Sequence, residues 1–101
     1  MPIAKKWSKY TKDDIRTIPS VYGVYELADG SRRTVYIGEG NLHNRLMAHF
    51  TTGSDPTPGI SYFRYVTTGS KQRAVQRQNA LLSEFLKKHG GLPRYKQKRH
   101  G

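Results

Sequence analysis

The sequence predicts an α+β domain in which a small three-stranded antiparallel sheet is flanked by helices, in the order β-β-α-β-α. Three segments rich in valine, isoleucine and tyrosine predict the strands, and a turn signal joins the first two into a hairpin. Two further stretches place apolar residues at helical spacing. At 101 residues the chain is long enough for one modest core, so we treat 1–101 as a single domain.

The N-terminal segment has no clear period. Residues 1–10 mix three lysines with two aromatic residues, and we expect them to form a basic arm. Thr11 then predicts the N-cap of a short helix, because Asp14 follows three residues later and Pro19 ends the segment.

The predicted hairpin and the helix after it occupy the middle of the chain. VYGVYEL, residues 21–27, and TVYIG, residues 34–38, are the two strands, and an Asp-Gly pair lies in the turn between them. Asn41 predicts the N-cap of a helix over 42–51, which a loop rich in glycine, proline and threonine follows.

The last strand and the longest helix follow that loop. ISYFRYVT, residues 60–67, contains three β-branched and three aromatic residues and predicts a strand. Ser70 predicts the N-cap of a helix that extends to about Lys88, where two glycines and Pro93 end it. We expect residues 95–101 to form a basic tail.

The charge of the chain indicates a polyanionic partner. Eighteen lysines and arginines against seven acidic residues give a formal net charge of +11. Nucleic acid is the leading candidate, since basic side chains neutralise phosphates. A membrane is the main alternative, but the sequence has no long apolar run. There is no cysteine and no secretory signal pattern, so we expect an intracellular protein.

Four residues are candidates for phosphate chemistry. Arg45 and His49 lie four apart, on one face of the predicted helix. Tyr36 points away from the apolar side chains of its strand, and Tyr25 can pair with it across the hairpin. Two tyrosines beside an arginine supply hydrogen-bond donors to a phosphate and, if one is deprotonated, a general base. The alternatives are a solvated arginine and tyrosines that serve only as good strand residues.

The long helix also carries an uncharged polar stripe, which is unusual in so charged a chain. The stripe consists of Gln72, Gln76, Asn79 and Ser83. We interpret it as the border of a cleft; the alternative is a solvent-facing edge.

These residues together resemble the GIY-YIG nuclease family. Gly23-Val24-Tyr25, ten intervening residues, Tyr36-Ile37-Gly38 and then Arg45 on the following helix reproduce its motifs, and the likeness extends from about Val21 to Tyr95. The resemblance implies an enzyme that cleaves phosphodiester bonds with one divalent metal ion, Mg²⁺ or Mn²⁺.

The resemblance also implies roles for individual residues. Tyr25 and Tyr36 would activate or position the attacking water, and Arg45 would stabilise charge on the scissile phosphate. His49 lies where the family usually has a tyrosine or a histidine, one turn after the arginine. Such a set suits phosphodiester hydrolysis, which needs donors for the phosphate oxygens and a cation near the developing charge.

The expected metal ligand is missing. The family holds its metal with a glutamate on the later helix. Counting back from Pro93-Arg94-Tyr95, with Gly90-Gly91 taken as a short insertion, leads to Gln76 in this sequence. Glutamine has the shape of glutamate but no charge, so we expect metal binding and cleavage to be impaired. Lys96 departs from the family's asparagine, and Glu39 is an alternative source of a carboxylate.

These observations lead to two main hypotheses for the function of the chain and to a third alternative. The first is a structure-directed DNA endonuclease of DNA repair or recombination that acts on duplex or branched DNA and is inactivated by glutamine at position 76. The second is a naturally non-catalytic nucleic-acid-binding module on the same fold. The third is an RNA-associated basic protein whose tyrosines stack on bases. Cleavage of both DNA strands would need two sites, which leaves a dimer open.

Basic residues outside the motifs are predicted to bind backbone phosphates. They are Lys5, Lys6, Arg32, Arg33, Lys71, Arg73, Arg77, Lys96, Lys98 and Arg99.

Overall fold

The computed structural model describes residues 6–50, 59–91 and 93. The elements in chain order are β1 (Ser8–Lys9), α1 (Lys12–Arg16), β2 (Tyr22–Ala28), β3 (Thr34–Asn41), α2 (Leu42–Ala48), β4 (Tyr62–Thr67) and α3 (Lys71–His89). This is the predicted α+β architecture. The predicted loop after α2 lies largely outside the described residues, as does the predicted tail.

The sheet of the described residues has four strands, in the order β1-β4-β2-β3, and all its neighbours are antiparallel. The prediction of three strands was therefore wrong by one. The additional strand, β1, lies in the segment predicted to be an arm, where Ser8 pairs with Phe63 and Lys9 with Tyr62. Two residues are too few to show the alternation by which a strand is recognised in a sequence.

The hairpin of β2 and β3 closes through the predicted Asp-Gly turn. A carboxylate oxygen of Asp29 accepts hydrogen bonds from the backbone N–H of Ser31 at 2.9 Å and of Arg33 at 3.0 Å. Arg32 between them has a φ of 63°, in the left-handed region. The side chain of Asp29 thus holds two adjacent arginines at the end of the sheet.

The sheet separates two apolar clusters. One face packs against α1 and α2, and its cluster is Ile15, Ile18, Tyr25, Leu27, Leu42, Leu46 and Phe63. The other face packs against α3, and its cluster is Val24, Ile37, Ala74, Leu81 and Leu82. We call these the α2 face and the α3 face. Because strand side chains alternate, the two tyrosines of the motifs both lie on the α2 face.

The helix ends follow the predicted capping residues. The side chains of Thr11, Asn41 and Ser70 each accept a hydrogen bond from the third residue of the helix that follows. Gly90 ends α3 in the left-handed conformation, with φ 74°. Helix α2 ends at Ala48, three residues before the predicted end.

A tyrosine ties the N-terminal segment to α2. The Tyr10 hydroxyl donates to the Leu46 carbonyl at 2.5 Å, and its ring stacks on Phe50 with 4.3 Å between centroids. Burial raises the pKa of Tyr10, so the hydroxyl remains a donor at neutral pH. This contact ties the N-terminal segment to the last turn of α2 and the residues after it.

Candidate active site

The two glycine-containing motifs of the hairpin lie side by side in the sheet. Tyr25 pairs with Gly38, and Gly23 pairs with Gly40. A Cβ atom added to Gly38 would lie 2.3 Å from the Tyr25 hydroxyl oxygen, so the Tyr25 ring lies directly across the backbone of β3. Only glycine at position 38 leaves room for this arrangement, which aims the Tyr25 hydroxyl at the end of α2.

At that end of α2 the Tyr25 hydroxyl meets a histidine. The Tyr25 oxygen and His49 Nε2 share a hydrogen bond of 2.7 Å, and the two side chains are 0% and 1% exposed. Tyr36 completes the cluster: its ring centroid lies 6.1 Å from that of Tyr25 and 4.6 Å from that of His49. Tyr36 is half-buried and is therefore the member of the three that reaches solvent.

Arg45 lies on the same helix, one turn before His49. Its Cγ would be 3.0 Å from a Cβ atom on Gly40, whose φ is 132°. The aliphatic part of the arginine thus crosses the end of β3 directly after the second motif, and the residue is half-buried. The structure therefore brings together Tyr25, Tyr36, Arg45 and His49, the four residues singled out for phosphate chemistry.

Gln76, the glutamine selected by counting back from Pro93, does not lie on the buried face of α3. Gln76 is exposed, whereas Gln78 is 3% exposed and belongs to the stripe that packs on the sheet. The two positions differ by about 200° around the helix axis. The buried amide of α3 is consequently Gln78, and its Nε2 atom has no hydrogen-bond partner among the described residues. The polar stripe runs from the exposed Gln72 and Gln76 to half-buried Asn79 and Ser83, so only its second half borders other elements.

The sequence could have indicated Gln78 by another route. Ala74, Gln78, Leu81 and Leu82 follow the i, i+4, i+7, i+8 spacing of a buried helix face. Position 78 is the one polar member of that set. A polar residue on an otherwise apolar face is a stronger signal than a distance counted across an insertion.

The predicted phosphate-binding residues do not converge on one surface. Arg32 and Arg33 lie in the β2–β3 turn, while Lys71 and Arg73 begin α3 at the opposite end of the sheet; all four are exposed, as is Lys6. Arg77 is half-buried and its Nε is shielded from solvent. Lys5, Lys96, Lys98 and Arg99 lie outside the described residues. No helix in the described ranges is long and apolar enough to cross a membrane.

Solved structures with the same fold include the N-terminal endonuclease domain of UvrC from Thermotoga maritima, a GIY-YIG domain bound to magnesium, its catalytic divalent cation. It superimposes with a TM-score of 0.59 at 20% sequence identity and covers 86% of this chain and all of the other. A point mutant of that domain gives the same TM-score. The likeness shows that this chain has the fold of a GIY-YIG domain.

The sequence relatives are also UvrC proteins. UvrABC system protein C from Nitratidesulfovibrio vulgaris is 34% identical over 88 residues, and its counterpart from Caldicellulosiruptor saccharolyticus is 29% identical over 91 residues. These matches span 83% and 82% of this chain but only 12% and 15% of the relatives. Residues 1–88 match the model of the family described as Domain of unknown function (DUF7508), and the chain belongs to that family.

The side chains of this chain do not fit a tightly held divalent cation. Magnesium and manganese prefer carboxylate oxygens, and the buried polar residue of α3 is the neutral Gln78. Among the described residues there is no group of three histidine, aspartate or glutamate side chains that could hold a metal. Glu39 is a single carboxylate on β3 and lies on the α3 face with Ile37, the face on which Gln78 is also buried.

Proposed function

We propose that this chain is a GIY-YIG endonuclease domain that acts on the phosphodiester backbone of DNA, in a form whose cleavage is impaired. The observation that carries the proposal is the 2.7 Å hydrogen bond between Tyr25 and His49. The Tyr36 ring packs against His49, and His49 directly follows α2, the helix that contains Arg45. A net charge of +11 supports a polyanionic substrate.

Tyr25, Tyr36, Arg45 and His49 differ in burial, and we assign them two different roles on that basis. Tyr36 and Arg45 are half-buried, so they are the side chains that contact the substrate. The Arg45 guanidinium binds the scissile phosphate, and the Tyr36 hydroxyl hydrogen-bonds to the phosphate or the attacking water. Tyr25 and His49 are enclosed and act as positioning residues, because their hydrogen bond fixes the end of α2 against β2.

The expected cofactor of the active form is one Mg²⁺ or Mn²⁺ ion, which would stabilise charge on the phosphate oxygens. In this chain Gln78 supplies at most one neutral oxygen from α3, and Gln76, the position predicted from the sequence, is also an amide. We therefore expect weak metal binding and slow or absent hydrolysis, while DNA binding through the cationic surface is retained.

A second candidate function is a non-catalytic DNA-binding module on the same fold. The buried amide of Gln78 favours it specifically, because a buried glutamine carries no charge for which a metal ion must compensate. In both candidates the substrate is duplex or branched DNA. We propose recognition of DNA structure rather than sequence, because the part of the chain that the structure describes shows no element dedicated to reading bases.

The test compares this chain with Gln78→Glu and Gln76→Glu on labelled duplex, flapped and four-way DNA, with Mg²⁺ or Mn²⁺. The two variants add the same charge to the same helix, so they differ only in the face that carries the carboxylate. Mn²⁺ binding is measured in parallel by paramagnetic broadening of amide resonances near Gly38. Gln78→Glu is expected to bind the ion and to cut at least 100-fold faster than the parent chain.

Other outcomes select between the candidates. Cleavage restored only by Gln76→Glu would assign the metal position to the exposed side of α3. Metal binding and cleavage in neither variant, with DNA affinity unchanged, would reject the nuclease and leave the binding module. Loss of cleavage in Gln78→Glu combined with Tyr36→Phe or Arg45→Lys would support the substrate-contact roles.

A further inference from the structure

A cavity of about 480 Å³ lies on the α3 face of the sheet, on the side opposite to the tyrosine cluster. It opens between the C-terminal half of α3 and the first residues of β3. None of the residues assigned to phosphate cleavage lines it. Its volume falls within the range of about 300–1,000 Å³ that is typical of small-molecule sites.

The floor of the cavity carries a fixed ion pair. Arg64 Nε donates to a carboxylate oxygen of Glu26 at 2.5 Å, and their side chains are 18% and 5% exposed. The Arg64 guanidinium also lies 4.0 Å from the centroid of the Trp7 ring. Because both partners are held in place, the floor presents a donor and an acceptor in a defined orientation.

The mouth of the cavity is basic. Arg32 and Arg33 line it from the β2–β3 turn, and Lys88 lines it from the last turn of α3. Lys88 and the neighbouring His89 also offset the partial negative charge at the C-terminus of the helix. With Arg64, four basic side chains line the cavity against two carboxylates, those of Glu26 and Glu84, so the site favours an anion.

The walls between floor and mouth are apolar. Val35, Leu81 and Phe85 line them, and the Phe85 ring packs against His89 with 4.2 Å between centroids. A bare phosphate would leave these walls in contact with water. A ligand that fills the cavity therefore combines an anionic group with a flat, largely apolar body that has polar edges.

We propose that this cavity binds a phosphorylated nucleoside, either a free mononucleotide or the terminal nucleotide of a DNA strand. The phosphate lies among Arg32, Arg33 and Lys88, the base packs against Phe85 and Leu81, and the base edge meets the Glu26–Arg64 pair. The site lies on the other face of the sheet from Tyr36 and Arg45. The inference does not rest on the nuclease proposal.

The test is a titration of the ¹⁵N-labelled chain, followed by the amide resonances of Thr34, Leu81 and Phe85. The probes are thymidine 5′-monophosphate, inorganic phosphate, and a thymidine hexanucleotide with or without a 5′-phosphate. Lys88→Glu is expected to weaken nucleotide binding at least fivefold. The matched control is Lys87→Glu, which makes the same charge change one residue away and does not line the cavity; less than a twofold effect is expected.

The probes also distinguish the two sources of the ligand. Saturation by the free mononucleotide supports a free ligand, and saturation only by the 5′-phosphorylated hexanucleotide supports a strand end. The proposal is overturned if inorganic phosphate binds as tightly as the nucleotide, if Lys87→Glu and Lys88→Glu weaken binding equally, or if no probe shifts the cavity resonances. Thermal unfolding of both variants verifies that they fold.

Discussion

At the scale of single residues, the candidate site depends on the absence of a Cβ atom at Gly38. The backbone of Gly38 lies under the Tyr25 ring, and a Cβ atom at this position would be 2.3 Å from the hydroxyl oxygen and 2.4 Å from Cζ. The glycine of the second motif is thus required by the tyrosine of the first. In this chain the two motifs therefore depend on each other sterically.

A substitution at Gly38 tests that contact. We expect Gly38→Ala to lower the free energy of unfolding by about 1–3 kcal/mol, because the new methyl group forces the Tyr25 ring away from β3. Urea denaturation measures the loss, and the His49 ring resonances report the broken hydrogen bond. Gly91→Ala is the control, since a Cβ atom there has no neighbour within 4 Å. Equal stability of the two variants would contradict the steric account.

A second residue-scale prediction concerns the buried carboxyl of Glu26. Burial raises its pKa, although the neighbouring Arg64 and Arg77 lower it in part. The folded state therefore binds this proton more tightly than the unfolded state. The stabilisation that protonated Glu26 gives to the folded state is fully present below the ordinary pKa of glutamate. It is lost as the pH rises through the higher pKa that Glu26 has in the folded state.

The variant Glu26→Gln isolates this effect because it keeps the shape and removes the titration. We expect the unfolding free energy of the variant minus that of the parent to increase between pH 4 and neutral pH, as the parent loses stability. Chemical denaturation at several pH values measures the difference. A difference that stays constant with pH would show that Glu26 has the same pKa in both states.

At the scale of elements, α2 is a helix of only two turns that positions two candidate site residues, Arg45 on the helix and His49 at its C-cap. Its N-cap, Asn41, accepts a hydrogen bond from the backbone N–H of Asn44 at 3.2 Å. A helix of seven residues has little stability of its own, so its cap and its packing determine whether Arg45 and His49 are correctly placed.

We expect Asn41→Ala to cost about 1 kcal/mol and Asn41→Asp to cost much less, since aspartate also caps helices well. Denaturation curves measure both. The matched comparison is Ser70→Ala, which removes the cap of α3. Only Asn41→Ala should also shift the His49 resonances; a shift of the same size in Ser70→Ala would mean that α2 does not depend on its own cap.

The success of the sequence prediction varied from element to element for physical reasons. Thr11, Asn41, Ser70 and Gly90 act locally, so their capping roles are readable from neighbouring residues. Strand β1 depends on pairing with residues more than fifty positions away, which no local pattern reveals. Motif spacing placed Tyr25, Tyr36, Arg45 and His49 close together because they lie on regular elements or directly after one. The burial of Gln78 was not predicted, because position 76 was selected by counting back from Pro93 across an assumed insertion.

At the scale of the whole molecule, the sheet divides two kinds of chemistry. The α2 face holds the tyrosine cluster, and the α3 face holds the Glu26–Arg64 pair and the basic cavity. Exposed arginines and lysines lie at both ends of the sheet, in the β2–β3 turn and at the start of α3, as well as on other elements. A DNA molecule that contacts both ends must therefore extend along the strands and not only cover the active site.

If the chain binds DNA as proposed, its net charge of +11 predicts an affinity that depends strongly on salt. Each phosphate contact contributes about 0.9 to the slope of log K against log salt concentration, because binding releases condensed cations. The last residues of the chain supply three closely spaced basic side chains, Lys96, Lys98 and Arg99. If they neutralise phosphates, replacing all three with alanine lowers affinity and flattens the slope by up to about 2.7.

The control removes the same number of charges from the described surface, through alanine at Lys9, Lys12 and Lys87, which are exposed. Fluorescence anisotropy with labelled duplex and four-way DNA between 50 and 200 mM salt measures both slopes, over about the range in which such contacts are lost. A larger decrease in slope for the tail variant than for the control supports local phosphate contacts by the tail. Equal decreases mean that the charges act through the total field of the molecule, and an unchanged slope would refute the tail as a DNA-binding segment.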